Sequence, residues 1–402
     1  MQLPLDGIEE TVPPPEEVSV TRQRVGDQEV TVYEGEFWTA KQRAGHSIHE
    51  VSYRACYKPQ LPEYFIKRHA GPGRMVFDPF LGRGTTLIEA RLLGCQTAGS
   101  DINPLSARLT RPRLCPPTPA QVKERLSAVV LLPSDIEPGG LLEFFHPDTL
   151  QEILGWMGYF RERRELGLLD EVDEWIEMVA VNRLTGHSNG FFSVYTLPPN
   201  QAVSIERQKK INAKLNQRPE YRNTRQLIWK KTRSLFRDPL PEGFRDHAPC
   251  LLHSSADSLP GTPSNSVDLV VTSPPFLNEV DYLQDNWMRM WFCGISVEKS
   301  ALWQLRSIAD WTSRMEDSLR ELCRILKAGG VVAFEVGEVR KGTVRLELEI
   351  VAAGVRAGLK PEYILINSQS FTKTSNCWGI SNNTRGTNSN RVVVFRKQGG
   401  RS

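Results

Sequence analysis

Short, β-branched apolar runs alternate along this chain with longer stretches whose apolar positions recur at helical spacing. That alternation predicts an α/β fold around a largely parallel, buried sheet. Arg74-Met75-Val76-Phe77-Asp78 and Gln96-Thr97-Ala98-Gly99-Ser100 are two such runs. Leu251-Leu252-His253, Val267-Asp268-Leu269-Val270-Val271 and residues 331–336 continue the series. Helices are predicted around Tyr64, Phe65 and Ile66, after Thr86 with Leu87, Ala90, Arg91 and Leu93, and over residues 281–291 and 311–326. A Val/Tyr/Phe alternation over residues 29–37 predicts a strand near the start. Residues 360–370 and 391–396 read as the last two strands, antiparallel to each other.

The alternation stops between residues 112 and 249. This stretch carries several helical segments, one of them over residues 170–182 with Val172, Trp175, Ile176 and Val179 on one face. The turn Gly186-His187-Ser188-Asn189-Gly190 follows, then Phe191-Phe192 and Tyr195. We therefore expect a largely helical insertion at 112–249 within a domain built from 28–111 and 250–397. Residues 1–27 mix prolines with acids and show no apolar period, which predicts a flexible lead-in.

Composition changes this picture little. The 402 residues are 40% hydrophobic, enough for a substantial core. No apolar run approaches the roughly 20 residues of a membrane span, and Met1-Gln2-Leu3-Pro4 opens no signal peptide, so a soluble cytoplasmic protein is expected. Seven cysteines without a Cys-x-x-Cys pair argue against a zinc cluster or disulfide framework. The formal net charge is only +3, but residues 201–250 hold twelve Lys or Arg against five acids, a net of +7. The rest of the chain is thus slightly acidic. Lys209, Lys210, Lys230, Lys231 and Arg233 are the candidate nucleic-acid contacts in that segment.

Two stretches carry candidate chemistry. The first strand runs into Pro79-Phe80-Leu81-Gly82-Arg83-Gly84-Thr85-Thr86 and then a helix. Gly82 and Gly84 let backbone approach a ligand, and the helix start offers free N–H groups. The next strand ends at Asp101, 23 residues after Asp78, where an acid can take both hydroxyls of a ribose. No Lys follows the glycines as in a phosphate loop, and the third glycine of the dinucleotide fingerprint is missing. Tyr57 and Lys58, just before the next helix, are placed either to approach a small ligand's carboxylate or simply to solvate a helix start.

The second stretch is Thr272-Ser273-Pro274-Pro275-Phe276, at the end of another strand. Two prolines fix φ twice and remove two N–H donors, so nearby carbonyls can face a cleft without competition. Ser273 adds a hydroxyl acceptor and Phe276 a π-face. A planar ring with an exocyclic NH2 needs that set: two acceptors for its two N–H donors and an aromatic surface to stack on.

Asp78-Pro79-Phe80-Leu81-Gly82-Arg83-Gly84-Thr85-Thr86, Asp101, Asp257 and Thr272-Ser273-Pro274-Pro275-Phe276 together resemble the motifs of S-adenosylmethionine-dependent DNA amino-methyltransferases. The resemblance covers about residues 53–110 and 250–397. It implies a Rossmann-like methyltransferase sheet with helices on both faces, and S-adenosyl-L-methionine as cofactor. Asp78, Phe80, Gly82, Gly84 and Thr85 would embrace the cofactor, Asp101 would take its ribose and Asp257 its adenine amine. Ser273 and the Pro274 carbonyl would hold the target amine in the elbow completed by Pro275, with Phe276 stacked on a base flipped out of the duplex. The insertion would serve as the target-recognition region.

Within the family, the Ser-Pro-Pro-aromatic wording is most similar to enzymes acting on cytosine N4. Those enzymes usually carry the Pro-Pro motif before the glycine motif, whereas here the glycine motif comes first. Adenine N6 is the nearest alternative, followed by an amine on RNA or protein. A reading from a different class is a nucleic-acid-binding module that has lost catalysis. The expected partners are DNA and a cognate restriction endonuclease, with no metal and no membrane.

Overall fold

A computed structural model describes residues 18–38, 45–54, 56–134, 137, 139–197, 202–275, 281–296, 303, 305, 307–337, 344–368 and 389–399. Its strands are β1 (Ser19–Val25), β2 (Gln28–Gly35), β3 (Met75–Asp78), β4 (Gln96–Ser100), β5 (Cys250–Leu252), β6 (Val267–Thr272), β7 (Leu326–Val336), β8 (Leu359–Ser368) and β9 (Ser389–Lys397). The first helices are α1 (Gln60–His69), α2 (Thr85–Leu92) and α3 (Pro104–Leu114). Then come α4 (Pro119–Ala128), α5 (Pro147–Glu165), α6 (Glu171–Arg183), α7 (Ile205–Leu215) and α8 (Thr224–Leu235). The last three are α9 (Tyr282–Phe292), α10 (Ile308–Ile325) and α11 (Leu346–Arg356).

All the strands join one sheet in the order β1-β2-β8-β9-β7-β6-β3-β4-β5. From β7 to β5 the pairing is parallel, while β9 lies antiparallel between β7 and β8. Successive side chains of a strand point to opposite faces, and here both faces are covered. Phe77, Val270, Val332 and Phe334 pack with Trp311, Met315 and Leu319 of α10 and Ile350 of α11. Val76, Leu269, Val271 and Ala333 pack with Tyr64, Phe65 and Ile66 of α1 and Ala90 of α2. The fold is the expected Rossmann-like α/β sheet with helices on both faces.

Chain order fixes where a ligand can sit. From β3 the chain steps outward to β4 and β5, then returns to β6 on the other flank of β3 and moves on to β7. The direction of winding reverses between β3 and β6. A crevice opens beyond the carboxyl ends of strands at such a switch point. Those ends are Asp78 and Thr272.

Two expectations are corrected. Residues 19–25, assigned to the flexible lead-in, form β1, paired antiparallel with β2. Its side chains are largely solvent-exposed, so no apolar period marks it. The strand expected at 331–336 starts earlier, at Leu326, and absorbs the Ala328-Gly329-Gly330 turn through a register irregularity opposite Val267 and Leu269.

The inserted segment packs onto the sheet domain through a shared core. Trp156, Phe160, Trp175 and Ile228 cluster with Leu105 and Leu109 of α3 and with Met288, Met290 and Phe292 of α9. Buried indoles are satisfied within the insertion: Trp156 Nε1 donates to Thr224 Oγ1 at 3.0 Å and Trp175 Nε1 to Thr232 Oγ1 at 3.1 Å. Among the described residues no helix is long and apolar enough to cross a membrane, and no group of His, Cys, Asp or Glu side chains is placed to hold a metal ion.

Candidate active site

The switch-point cleft is lined by the glycine turn (Pro79, Phe80, Leu81, Gly82, Thr85), the end of β4 (Asp101, Ile102, Asn103) and the exit of β5 (Ser255, Ala256). The elbow contributes Ser273 and Pro275, and Tyr53, Cys56, Tyr57, Tyr282 and Trp303 close the rim. Of the residues singled out in the sequence, the fold thus brings Tyr57, Phe80, Gly82, Thr85, Asp101, Ser273 and Pro275 to one cavity.

Asp101 organises the β4 side. Its Oδ2 accepts from the Gly82 N–H at 2.8 Å and its Oδ1 from the Asn103 N–H at 2.8 Å. Burial raises its pKa while these backbone donors oppose the rise. Each carboxylate oxygen has lone pairs left for further donors, such as ribose hydroxyls. Gly82 has φ +51°, and a Cβ there would meet nothing closer than the Cys56 Sγ at 3.8 Å, so the space beside it opens to the cleft.

Gly84 answers a different need. With φ +75° it caps α2, and a Cβ would lie 2.4 Å from Thr110 Oγ1 of α3. The glycine permits helix packing and does not face the cleft.

Asp78 lies beneath the floor, almost fully buried. Its Oδ1 accepts from Thr272 Oγ1 at 2.6 Å and from the Phe80 N–H at 3.1 Å, and its Oδ2 meets the Tyr57 hydroxyl at 3.2 Å. Burial pushes its pKa up to about 6 against those hydrogen bonds. It braces the two cleft-lining loops from below.

Of the rim residues Tyr53, Cys56 and Tyr57, sequence reasoning singled out only Tyr57. Buried Arg83 holds them: its Nη1 donates to the Val51 carbonyl at 2.8 Å, its Nη2 to the Tyr57 carbonyl at 3.3 Å and its Nε to Thr85 Oγ1 at 3.1 Å. The one available signal was Tyr57-Lys58 before α1. Tyr282, the first residue of α9, also lines the cleft.

At the elbow Pro274 is buried and the Pro275 carbonyl accepts from Trp311 Nε1 at 3.0 Å. Behind Ser273, at the end of the neighbouring strand β7, stands the buried Glu335. Ser273 and Asn390 are the side chains that act to lower its pKa, Asn390 Nδ2 donating to its Oε1 at 3.1 Å. Burial nonetheless raises the Glu335 pKa. Phe276 lies outside the described residues.

Other candidates stand apart. Asp257 does not line the cleft; its carboxylate pairs with Arg314 at 2.6 Å. Lys209 and Lys210 are exposed on α7, and Lys230 and Arg233 are exposed on α8. Lys231 is mostly buried, pairs with Glu50 at 3.3 Å, and has its pKa lowered to about 8 by burial and then by Arg183. None of the five lines the cleft.

A doubly wound α/β sheet with a polar-and-aromatic cleft at its switch point defines a small-ligand-binding class of proteins. Comparison with known proteins narrows it. Residues 12–111, about a quarter of the chain, match the DNA methylase family model N6_N4_Mtase. Type II methyltransferase M.MjaII of Methanocaldococcus jannaschii is 41% identical over 69 residues, 17% of this chain and 13% of that protein. M.MvaI of Kocuria varians is 35% identical over 78 residues, 19% of this chain and 17% of that one. M.BsoBI of Geobacillus stearothermophilus is 22% identical over 291 residues, 63% of this chain and 54% of that one. The chain spans at most about half the length of these curated relatives. The matches relate this chain to the DNA amino-methyltransferases, the family its motifs resemble.

Proposed function

We propose that this protein is an S-adenosylmethionine-dependent methyltransferase acting on DNA, with the exocyclic N4 amine of cytosine as its target. One observation carries the reading: Ser273, at the lip of the switch-point cleft, is backed by the buried Glu335. The residues around the cleft fit the cofactor. Phe80, Ile102, Ala256 and Trp303 offer apolar and aromatic walls for a nucleoside, Asp101 offers a twice-anchored carboxylate for ribose hydroxyls, and the backbone beside Gly82 leaves open space. When bound, S-adenosylmethionine supplies an electrophilic methyl group on a sulfonium centre.

The chain's own residues orient the acceptor. An exocyclic amine has its lone pair delocalised into the ring, and hydrogen-bond acceptors on its N–H groups redirect that pair. With its hydroxyl proton donated to Glu335, Ser273 keeps lone pairs free to accept from such an amine. Transfer leaves a proton to be lost. The Ser273–Glu335 pair can take it, because burial raises the carboxylate's proton affinity. Phe276 would stack on the flipped base, and the insertion would read the target sequence.

The Ser-Pro-Pro-Phe wording supports cytosine, while the glycine-first motif order supports adenine N6 as the second reading. The relatives are type II methyltransferases, and we extend to this chain a cognate endonuclease sharing its target sequence. The test is to incubate the protein with unmethylated genomic DNA and isotope-labelled S-adenosylmethionine, then identify labelled nucleosides by mass. N4-methylcytosine is expected. N6-methyladenine would keep the mechanism and change the base, and label in RNA or protein alone would overturn the DNA assignment.

A further inference from the structure

The segment 50–53 leads into the cleft along a line of cations that the chemistry above does not use. At its inner end Tyr53 lines the cleft, with the Arg289 guanidinium carbon 6.0 Å from its ring centroid. Ser52 N–H donates to Asn182 Oδ1 at 2.8 Å, which brings up Arg183 at the end of α6. At its outer end Glu50 receives Lys231 at 3.3 Å and Arg237 at 3.2 Å, both from the α8 region. The cations feel one another: Arg289 is the largest neighbouring charge lowering the Arg183 pKa, and Arg183 the largest lowering that of Lys231, after burial in each case.

The acids here do not balance these charges. Glu50 is shared between Lys231 and Arg237, Asp238 also touches Arg237, and Asp285 is held by Arg54. Among the described residues neither Arg183 nor Arg289 makes an ion pair. Arg183 instead donates to the Asn182 and Gly190 carbonyls at 3.0 and 3.4 Å and lies 4.1 Å over the Phe191 ring, which fixes its direction. Crowded, partly desolvated cations of one sign are costly unless an anion joins them.

We propose that Arg183, Lys231 and Arg237 bind backbone phosphates of the DNA strand whose target nucleotide passes Tyr53 into the cleft, with Arg289 reinforcing the field from beneath. The trough rests on the DNA reading given above. It differs from the exposed Lys209 and Lys210 in being pre-organised, so arginine geometry as well as charge matters.

The experiment measures binding of the full chain to a fluorescein-labelled random-sequence duplex across a salt series, by anisotropy. Wild type should bind with a steep salt dependence. Arg183→Gln and Arg237→Gln should each weaken binding and flatten the log–log slope by about one, while Arg183→Lys should keep the slope. S-adenosylmethionine affinity should stay at the wild-type value in all three. Arg237 is more than half exposed, so its substitution tests the trough even if Arg183→Gln fails to fold. A wild-type chain that binds the duplex while Arg237→Gln keeps its slope overturns the trough alone. A wild-type chain that binds an RNA hairpin in preference, or neither nucleic acid, overturns the DNA reading with it.

Discussion

Thr272 donates a 2.6 Å hydrogen bond to Asp78, tying the carboxyl end of β6 to that of β3 across the switch point. The same Asp78 oxygen accepts from the Phe80 N–H, so one carboxylate sets the spacing between the glycine turn and the Ser-Pro-Pro elbow. On the proposed reaction, the methyl donor and its acceptor share that spacing.

Thr272→Val should therefore be costly despite its similar shape. It withdraws a donor from a buried carboxylate, worth about 1–3 kcal/mol of stability. Urea unfolding measures that loss, and methyl transfer should fall further than cofactor affinity because the two loops lose their common brace. Wild-type stability with wild-type turnover would show that the bond is incidental.

The two glycines of the turn should separate under substitution. Gly84→Ala places a Cβ 2.4 Å from Thr110 Oγ1 and adopts φ +75°, combining overpacking with left-handed strain at about 2–5 kcal/mol in all. Gly82→Ala meets no close neighbour and should cost about 1–2 kcal/mol, from its φ alone. Its main effect should be on cofactor affinity. Melting curves beside calorimetric titration of S-adenosylmethionine would check both, and equal effects on stability would refute the division.

Much of the sheet and part of the cleft could be read from the chain because their signals are local. The runs at β3, β4 and β6 are apolar enough to declare buried strands, and Asp101, Gly82 and Ser273 follow at strand ends. What stayed hidden depends on distant partners. Glu335 sits inside an apolar run whose pattern says only that it is a strand, and its role appears once Ser273 and Asn390 meet it. The Tyr53–Tyr57 rim has no periodicity and is held by Arg83 through backbone carbonyls. Asp257 has suitable chemistry for the role expected of it, yet Arg314 engages its charge.

Ser273→Ala and Glu335→Gln should produce related defects. Both should leave S-adenosylmethionine affinity near wild type while turnover falls by about 10²-fold or more, the usual scale for losing a positioned proton acceptor. Because burial raises the Glu335 pKa, wild-type turnover should decline as pH falls through that raised value. Glu335→Gln should flatten this acidic limb, and a variant with an unchanged pH profile would exclude Glu335 from the proton path.

Two further buried carboxyls predict how stability varies with pH. Burial holds Asp78 at about 6 and Glu89 at about 8, both above their unfolded values of 3.8 and 4.5. Glu89 bonds His49 Nε2 at 2.8 Å, and burial followed by the nearby Arg113 keeps that imidazole well below its usual pKa. Below pH 8 the pair is therefore a protonated carboxyl against a neutral ring. For a raised carboxyl pKa the folded state binds the extra proton, so stability is greatest below the unfolded pKa and is lost as pH rises to the folded one. The lowered pKa values of His49 and His69 act in the opposite sense up to 6.5, so the decline shows above about pH 6.5, where denaturant midpoints should fall toward pH 8 as Glu89 gives up its folded-state proton. Glu89→Gln cannot ionise and should remove that decline between about pH 6.5 and 8. If that upper decline persists in Glu89→Gln, another group carries it and the neutral Glu89–His49 pair is wrong.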